Sequence, residues 1–93
     1  MLYYETQIRQ GIALLDEYHN KLKPPQQWRN KVDLENLNMW SNCVLDMVFG
    51  NYVVGRKKLG ETECDYSGFC CPMKEYHLLT ASWKTILAEE NHG

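Results

Sequence analysis

Four cysteines, Cys43, Cys64, Cys70 and Cys71, and three histidines carry most of the nucleophilic and metal-ligating chemistry open to this chain. Cys64, Cys70, Cys71 and His77 fall close together, so a zinc site is the first chemistry to weigh. Structural zinc sites present paired Cys-x2-4-Cys knuckles. Here the Cys64 to Cys70 gap is too wide and Cys70-Cys71 is an adjacent pair, poorly shaped to ligate one ion together. The chain is therefore expected to hold neither metal nor cofactor, and a zinc- or small-ligand-binding protein built on the cysteine loop is kept as an alternative. Cys71 with His77 would make a nucleophilic pair if a helix N-terminus lowered the thiol pKa, but a packed cysteine is the commoner outcome. His19, near the end of a helical stretch, is expected to be a solvated or capping side chain.

Gly55-Arg-Lys-Lys-Leu-Gly60 has a superficial look of phosphate binding, yet it follows no strand and opens no long helix. Its cations instead suit the last turn of a short helix, where the dipole favours them. The chain contains no phosphate loop, no dinucleotide glycines after a strand, no His-Glu-x-x-His and no nucleophile elbow, so it is read as a non-enzyme. Ten basic against twelve acidic residues give a net charge of -2. The basic excess that drives phosphate-backbone binding is missing. Nucleic acid is thus not the expected partner, and DNA binding through Arg56, Lys57 and Lys58 stands only as an alternative, with Asp46, Glu61 and Glu63 nearby against it.

The aromatic residues say more. Of three Trp, Trp83 lies on a helical stripe and belongs in a core, while Trp28 and Trp40 sit in or beside loops, where one can remain partly exposed. Trp40, with Tyr52 and Arg56 on the neighbouring short helix, has the residue types enriched at protein interfaces. These three are the candidate partner-binding residues.

The elements that must position them form an all-α fold. A chain of 93 residues, 44% hydrophobic and 24% charged, makes one domain over 1–93. Ile8, Ile12 and Leu15 recur at helical steps and predict a helix over about 4–20, inside which Gly11 admits close packing by a neighbour. Pro24-Pro25 stops it. Asp33 can cap a single turn, and Ser41 is the expected N-cap of a helix over 41–50, followed by another over 52–59, with Gly50 and Gly60 as stops. Pro72 opens a last helix over 72–90 carrying Tyr76, Leu79, Trp83 and Ile86. The two longer helices are expected to pack together, with the short pair across one end. Residues 21–40 and 60–71 read as connecting loops, the second lying over the surface. The N-terminal residues lack a signal-peptide pattern and no apolar run approaches membrane-spanning length, so the expected location is cytoplasmic and the expected thiols reduced.

The succession Gly11-Ile-Ala-Leu-Leu-Asp-Glu17, Lys31-Val-Asp-Leu34 after Trp28, Leu37-Asn-Met39, Cys43-Val-Leu45, Phe49-Gly-Asn-Tyr52, Gly55, Leu59-Gly60, Gly68-Phe69 and Tyr76-x-x-Leu79-Thr80-x-x-Trp83 resembles a group of small uncharacterised proteins of bacteriophages and prophages, chiefly of actinobacteria. The resemblance covers most of residues 8–87 and departs at Cys64 and Cys70-Cys71. It implies a small accessory protein that binds a host or phage macromolecule, such as an inhibitor of a host defence or replication factor.

Overall fold

Ile8, Ile12, Leu15 and His19, spaced by four, three and four residues, form the inward stripe of α1 (Glu5–Asn20), with Gly11 beside them. The computed structural model describes residues 2–60 and 67–92, which are mostly helical and contain no strand. A 3-10 turn (Trp28–Lys31), α2 (Val44–Phe49), α3 (Tyr52–Leu59), a second 3-10 turn (Met73–Glu75) and α4 (Tyr76–His92) follow α1. The fold is all-α, as expected, and no helix among the described residues is long and apolar enough to cross a membrane.

The start of α2 differs from expectation. Cys43, not Ser41, is the N-cap: its sulfur accepts the Asp46 N–H at 3.4 Å and the Asp46 carboxylate accepts the Cys43 N–H at 3.3 Å. This is a capping box in which sulfur replaces the usual hydroxyl. Burial, with the neighbouring Asp46 carboxylate, pushes the Cys43 thiol up to about 11. Asn51 caps α3 by accepting the N–H groups of Val53 and Val54. Gly50 and Gly60 end α2 and α3 with φ of 82° and 73°, a region glycine enters without side-chain penalty.

The largest correction concerns the loop before α4. Ser67, Gly68 and Phe69, placed on the surface by their lack of periodicity, are buried. Phe69 stacks on Trp83 with centroids 5.7 Å apart, and the Trp83 indole donates to the Gly68 carbonyl at 2.7 Å. A Cβ on Gly11 would run into the Ser67 carbonyl oxygen, and one on Gly68 would lie 2.8 Å from the Ile8 nitrogen. Gly11 does admit a neighbour, then, but the neighbour is backbone. The two longer helices, expected to pack on each other, meet largely across this wedge. Cys64 and the rest of residues 61–66 lie outside the described residues.

The 21–40 region is also more than a connection, because Trp28, Leu37 and Met39 are all in the core. The Trp28 indole donates to Asp16 at 2.9 Å, and Arg29, its guanidinium 4.6 Å above the Trp28 ring, donates to both oxygens of Asp16 and both of Glu90. One cation thereby ties α1 to the end of α4. His19 is buried rather than solvated, since it falls one step beyond Leu15 on the inward stripe. Its Nδ1 lies 2.7 Å from the Leu15 carbonyl, which can only accept, so Nδ1 carries the proton. Of the residues expected in the core, Ile8, Ile12, Leu15, Val44, Val48, Leu79, Trp83 and Ile86 are buried and Tyr76 is half-buried.

The reduced-thiol expectation fails at Cys70, which is disulfide-bonded. Cys43 and Cys71 keep their thiols.

Candidate functional site

Leu37 and Met39 point inward while Asn38 and Trp40 point out. Met39, Trp40 and Ser41 form a hydrogen-bonded turn, which an isolated bridge between Asn38 and Asn42 closes into a tight loop. Asn42 N–H donates to the Asn38 carbonyl at 2.7 Å, and the Asn38 side-chain oxygen accepts the N–H groups of Trp40 and Ser41 at 2.9 and 3.3 Å. Met39 N–H donates to the Thr80 hydroxyl at 2.9 Å, fastening the loop to α4. Trp40 stands on this braced loop with 60% of its surface exposed, whereas Trp28 and Trp83 are at 2% and 0%.

Trp40 meets Tyr76 edge-to-face, with centroids 5.1 Å apart. The two rings stand between two concavities and line both. One, of about 200 Å³, runs inward between Trp40, Tyr52, Cys43 and Asp46 toward Phe69. The other, of about 490 Å³, is an open groove between the 37–40 loop and α4, with His77, Ala81 and Lys84 along it. Arg56 lies one turn after Tyr52 on α3, its guanidinium 5.6 Å from the Tyr52 ring centroid. Burial raises the Tyr52 pKa and the adjacent Arg56 cation opposes the rise. The structure thus gathers Trp40, Tyr52 and Arg56 into one region, bridged by Tyr76, but to different degrees: Trp40 is open to solvent, while Tyr52 and Arg56 are half-buried.

Comparison of the chain with protein-family models, with curated proteins and with solved structures finds no match. The other sequence candidates fall as follows. Gly55, Arg56, Lys57 and Lys58 are inside α3, with the three cations in its last turn and the Gly60 N–H donating to the carbonyls of Arg56 and Lys57. That is a helix end complemented by charge, not a phosphate-cradling loop. Cys71 precedes the 3-10 turn rather than opening α4, and its thiol donates to the Pro72 carbonyl at 3.4 Å. His77 lines the groove beside Trp40. Among the described residues no three His, Cys, Asp or Glu side chains gather as a metal site requires, and Cys70, already bonded through its sulfur, has no thiolate to offer a zinc ion.

Tyr76, Ala81 and Lys84 were not singled out from sequence as site residues. Tyr76 reads as one more member of the α4 stripe, and the outer face of α4 reads as an ordinary solvated surface. What marks them is their position opposite Trp40, which depends on the Met39–Thr80 hydrogen bond.

Proposed function

We propose that this chain is a small non-enzymatic accessory protein, of the phage or prophage type, that binds a protein partner through Trp40, Tyr52 and Arg56 and acts stoichiometrically, for example by inhibiting a host defence or replication factor. The carrying observation is Trp40: a large aromatic side chain, mostly exposed, held by hydrogen bonds on both sides of its backbone. A tryptophan buries about 150–250 Å² when covered. Covering the exposed 60% of Trp40 removes about 120 Å² of largely apolar surface from water, worth about 3 kcal/mol. Because the loop is already braced, little of that gain is spent on ordering it. In a cytoplasmic setting the Cys70 disulfide would be exposed to reduction, but Cys70 lines neither concavity beside Trp40.

A photocrosslinking residue installed at position 40 tests the reading in cells of the host, with the exposed α1 position Ala13 as control. A discrete protein adduct from position 40 that is absent from position 13 is expected. Equal adducts from both sites, or none from position 40, would sink it.

A further inference from the structure

We infer that the groove between the 37–40 loop and α4 seats a short acidic peptide segment of the partner, with an apolar side chain packed between Trp40 and Ala81 and carboxylates directed at His77 and Lys84. The inference rests on the reading of Trp40 as a partner anchor and adds the chemistry of what it receives. Tyr76, Thr80 and Lys84 follow one another at four-residue steps along α4, a ridge about 12 Å long at 1.5 Å per residue, the span of about four extended residues. Ala81, exposed and small, leaves the opening along that ridge beside the Trp40 and Tyr76 rings. Thr80 is already committed to Met39 N–H at 2.9 Å, so the wall holds its shape with the groove empty.

Charge selects the occupant. The chain as a whole is acidic, with a net charge of -2, yet among the described residues lining the groove there is no carboxylate. Lys84 and the titratable His77 are the nitrogen bases there, and Leu37, Trp40, Tyr76 and Ala81 are the apolar surface. A basic segment would find no counter-charge, whereas an acidic one meets Lys84 directly. Aromatic rings beside cations also suit single-stranded nucleic acid. One lysine and one histidine in an acidic protein fall short of the electrostatic groove that such binding uses, and a peptide with one apolar anchor fits better.

The experiment is a random-peptide display selection on the full chain, counter-selected on Trp40→Ala, followed by titration of the consensus peptide. Peptides pairing an apolar residue with flanking Asp or Glu are expected, and Lys84→Glu should weaken the consensus peptide by about tenfold or more. Lys84→Gln should weaken it less, and Lys57→Glu, on the exposed side of α3, by less than about twofold. Circular dichroism checks that each variant is folded. Trp40-dependent peptides with neutral or basic flanks would overturn the acidic assignment and leave the Trp40 anchor standing. Failure to recover any Trp40-dependent peptide would overturn both. A thymidine oligonucleotide that binds more tightly than every selected peptide, and loses binding in Trp40→Ala, would give the groove to single-stranded nucleic acid instead.

Discussion

Gly11→Ala sets two effects of opposite sign against each other. In the interior of an α-helix alanine is favoured over glycine by about 1 kcal/mol, so by propensity alone the substitution stabilises α1. The added Cβ, however, would collide with the Ser67 carbonyl oxygen and lie 3.1 Å from Phe69 Cζ and 3.3 Å from the Ser67 carbonyl carbon. The obstacle is backbone that cannot swing aside as a side chain would. It is pinned by the 2.7 Å bond from Trp83 to the adjacent Gly68 carbonyl and by the Phe69 ring stacked on Trp83. Overpacking of this kind costs about 1–3 kcal/mol, and the upper end applies because relief requires shifting the whole wedge. The net expectation is destabilisation by about 2 kcal/mol, or about 10 °C in Tm for a domain of this size. Urea unfolding followed by far-UV circular dichroism measures it, with Ala13→Gly at an exposed α1 position as the control that reports propensity alone, a loss of about 1 kcal/mol. If Gly11→Ala raises stability by the propensity increment, residues 67–69 are not seated against α1 and the account of the core is wrong.

Two further outcomes follow from the described contacts. Burial works against the Asp16 charge, but hydrogen bonds from Arg29 and Trp28 win and hold its pKa below the ordinary 3.8. The stabilisation is therefore complete above that value and is lost as pH falls through the lower folded one. Arg29→Leu should cost about 1 kcal/mol near neutral pH, as suits a partly exposed pair, and the gap between wild type and variant in denaturation midpoints should close under acid; a pH-independent gap would refute the role given to Asp16. In alkylation mapped by mass spectrometry at pH 8, Cys71 should react in the native protein, Cys43 only on unfolding, because burial pushes its thiol up to about 11, and Cys70 only after reduction. Labelling of Cys70 without reductant would contradict the disulfide.

Local periodicity made the helices legible, and the long-range wedge escaped it. Ile8, Ile12 and Leu15, and likewise Leu79, Trp83 and Ile86, repeat at the helical step, so their burial follows from sequence. Gly11 carried a further signal, an apparent propensity fault in mid-helix, and the inference of a close neighbour was sound. Nothing local could say that the neighbour would be Ser67, because Ser67-Gly-Phe69 has no period and sits among residues that favour loops. Leu37 and Met39 lack helical spacing, and their burial follows instead from the turn closed between Asn38 and Asn42, which leaves Asn38 and Trp40 outside. His19 was misjudged for the converse reason: its polarity argued for solvent, while its position one step after Leu15 placed it inside, where its proton satisfies the Leu15 carbonyl. In the candidate site, residue type was enough to single out Trp40, but Tyr76, Ala81 and Lys84 depend on how the loop lies against α4.

Trp40 is exposed because its neighbours leave it no alternative. Turning it inward needs the 38–42 turn to slip open, which would break the Asn42 to Asn38 and Met39–Thr80 bonds and pull Met39 from the core. The Asn38 side chain holds the loop against such a slip by accepting two successive N–H groups. Asn38→Ala separates rigidity from chemistry, since it leaves Trp40, Lys84 and the core residues in place. Loss of these exposed hydrogen bonds should cost about 1 kcal/mol of stability and leave the helix content unchanged. In the fluorotryptophan-labelled protein, the Trp40 resonance should narrow toward that of a mobile side chain while those of Trp28 and Trp83 stay where they are. Affinity for any partner gripping Trp40 should fall, because the ordering that the loop had supplied in advance must now be met on binding. An unchanged Trp40 resonance would show that the Asn38 bonds do not brace the loop, and the argument that Trp40 is a preorganised anchor would fail with them.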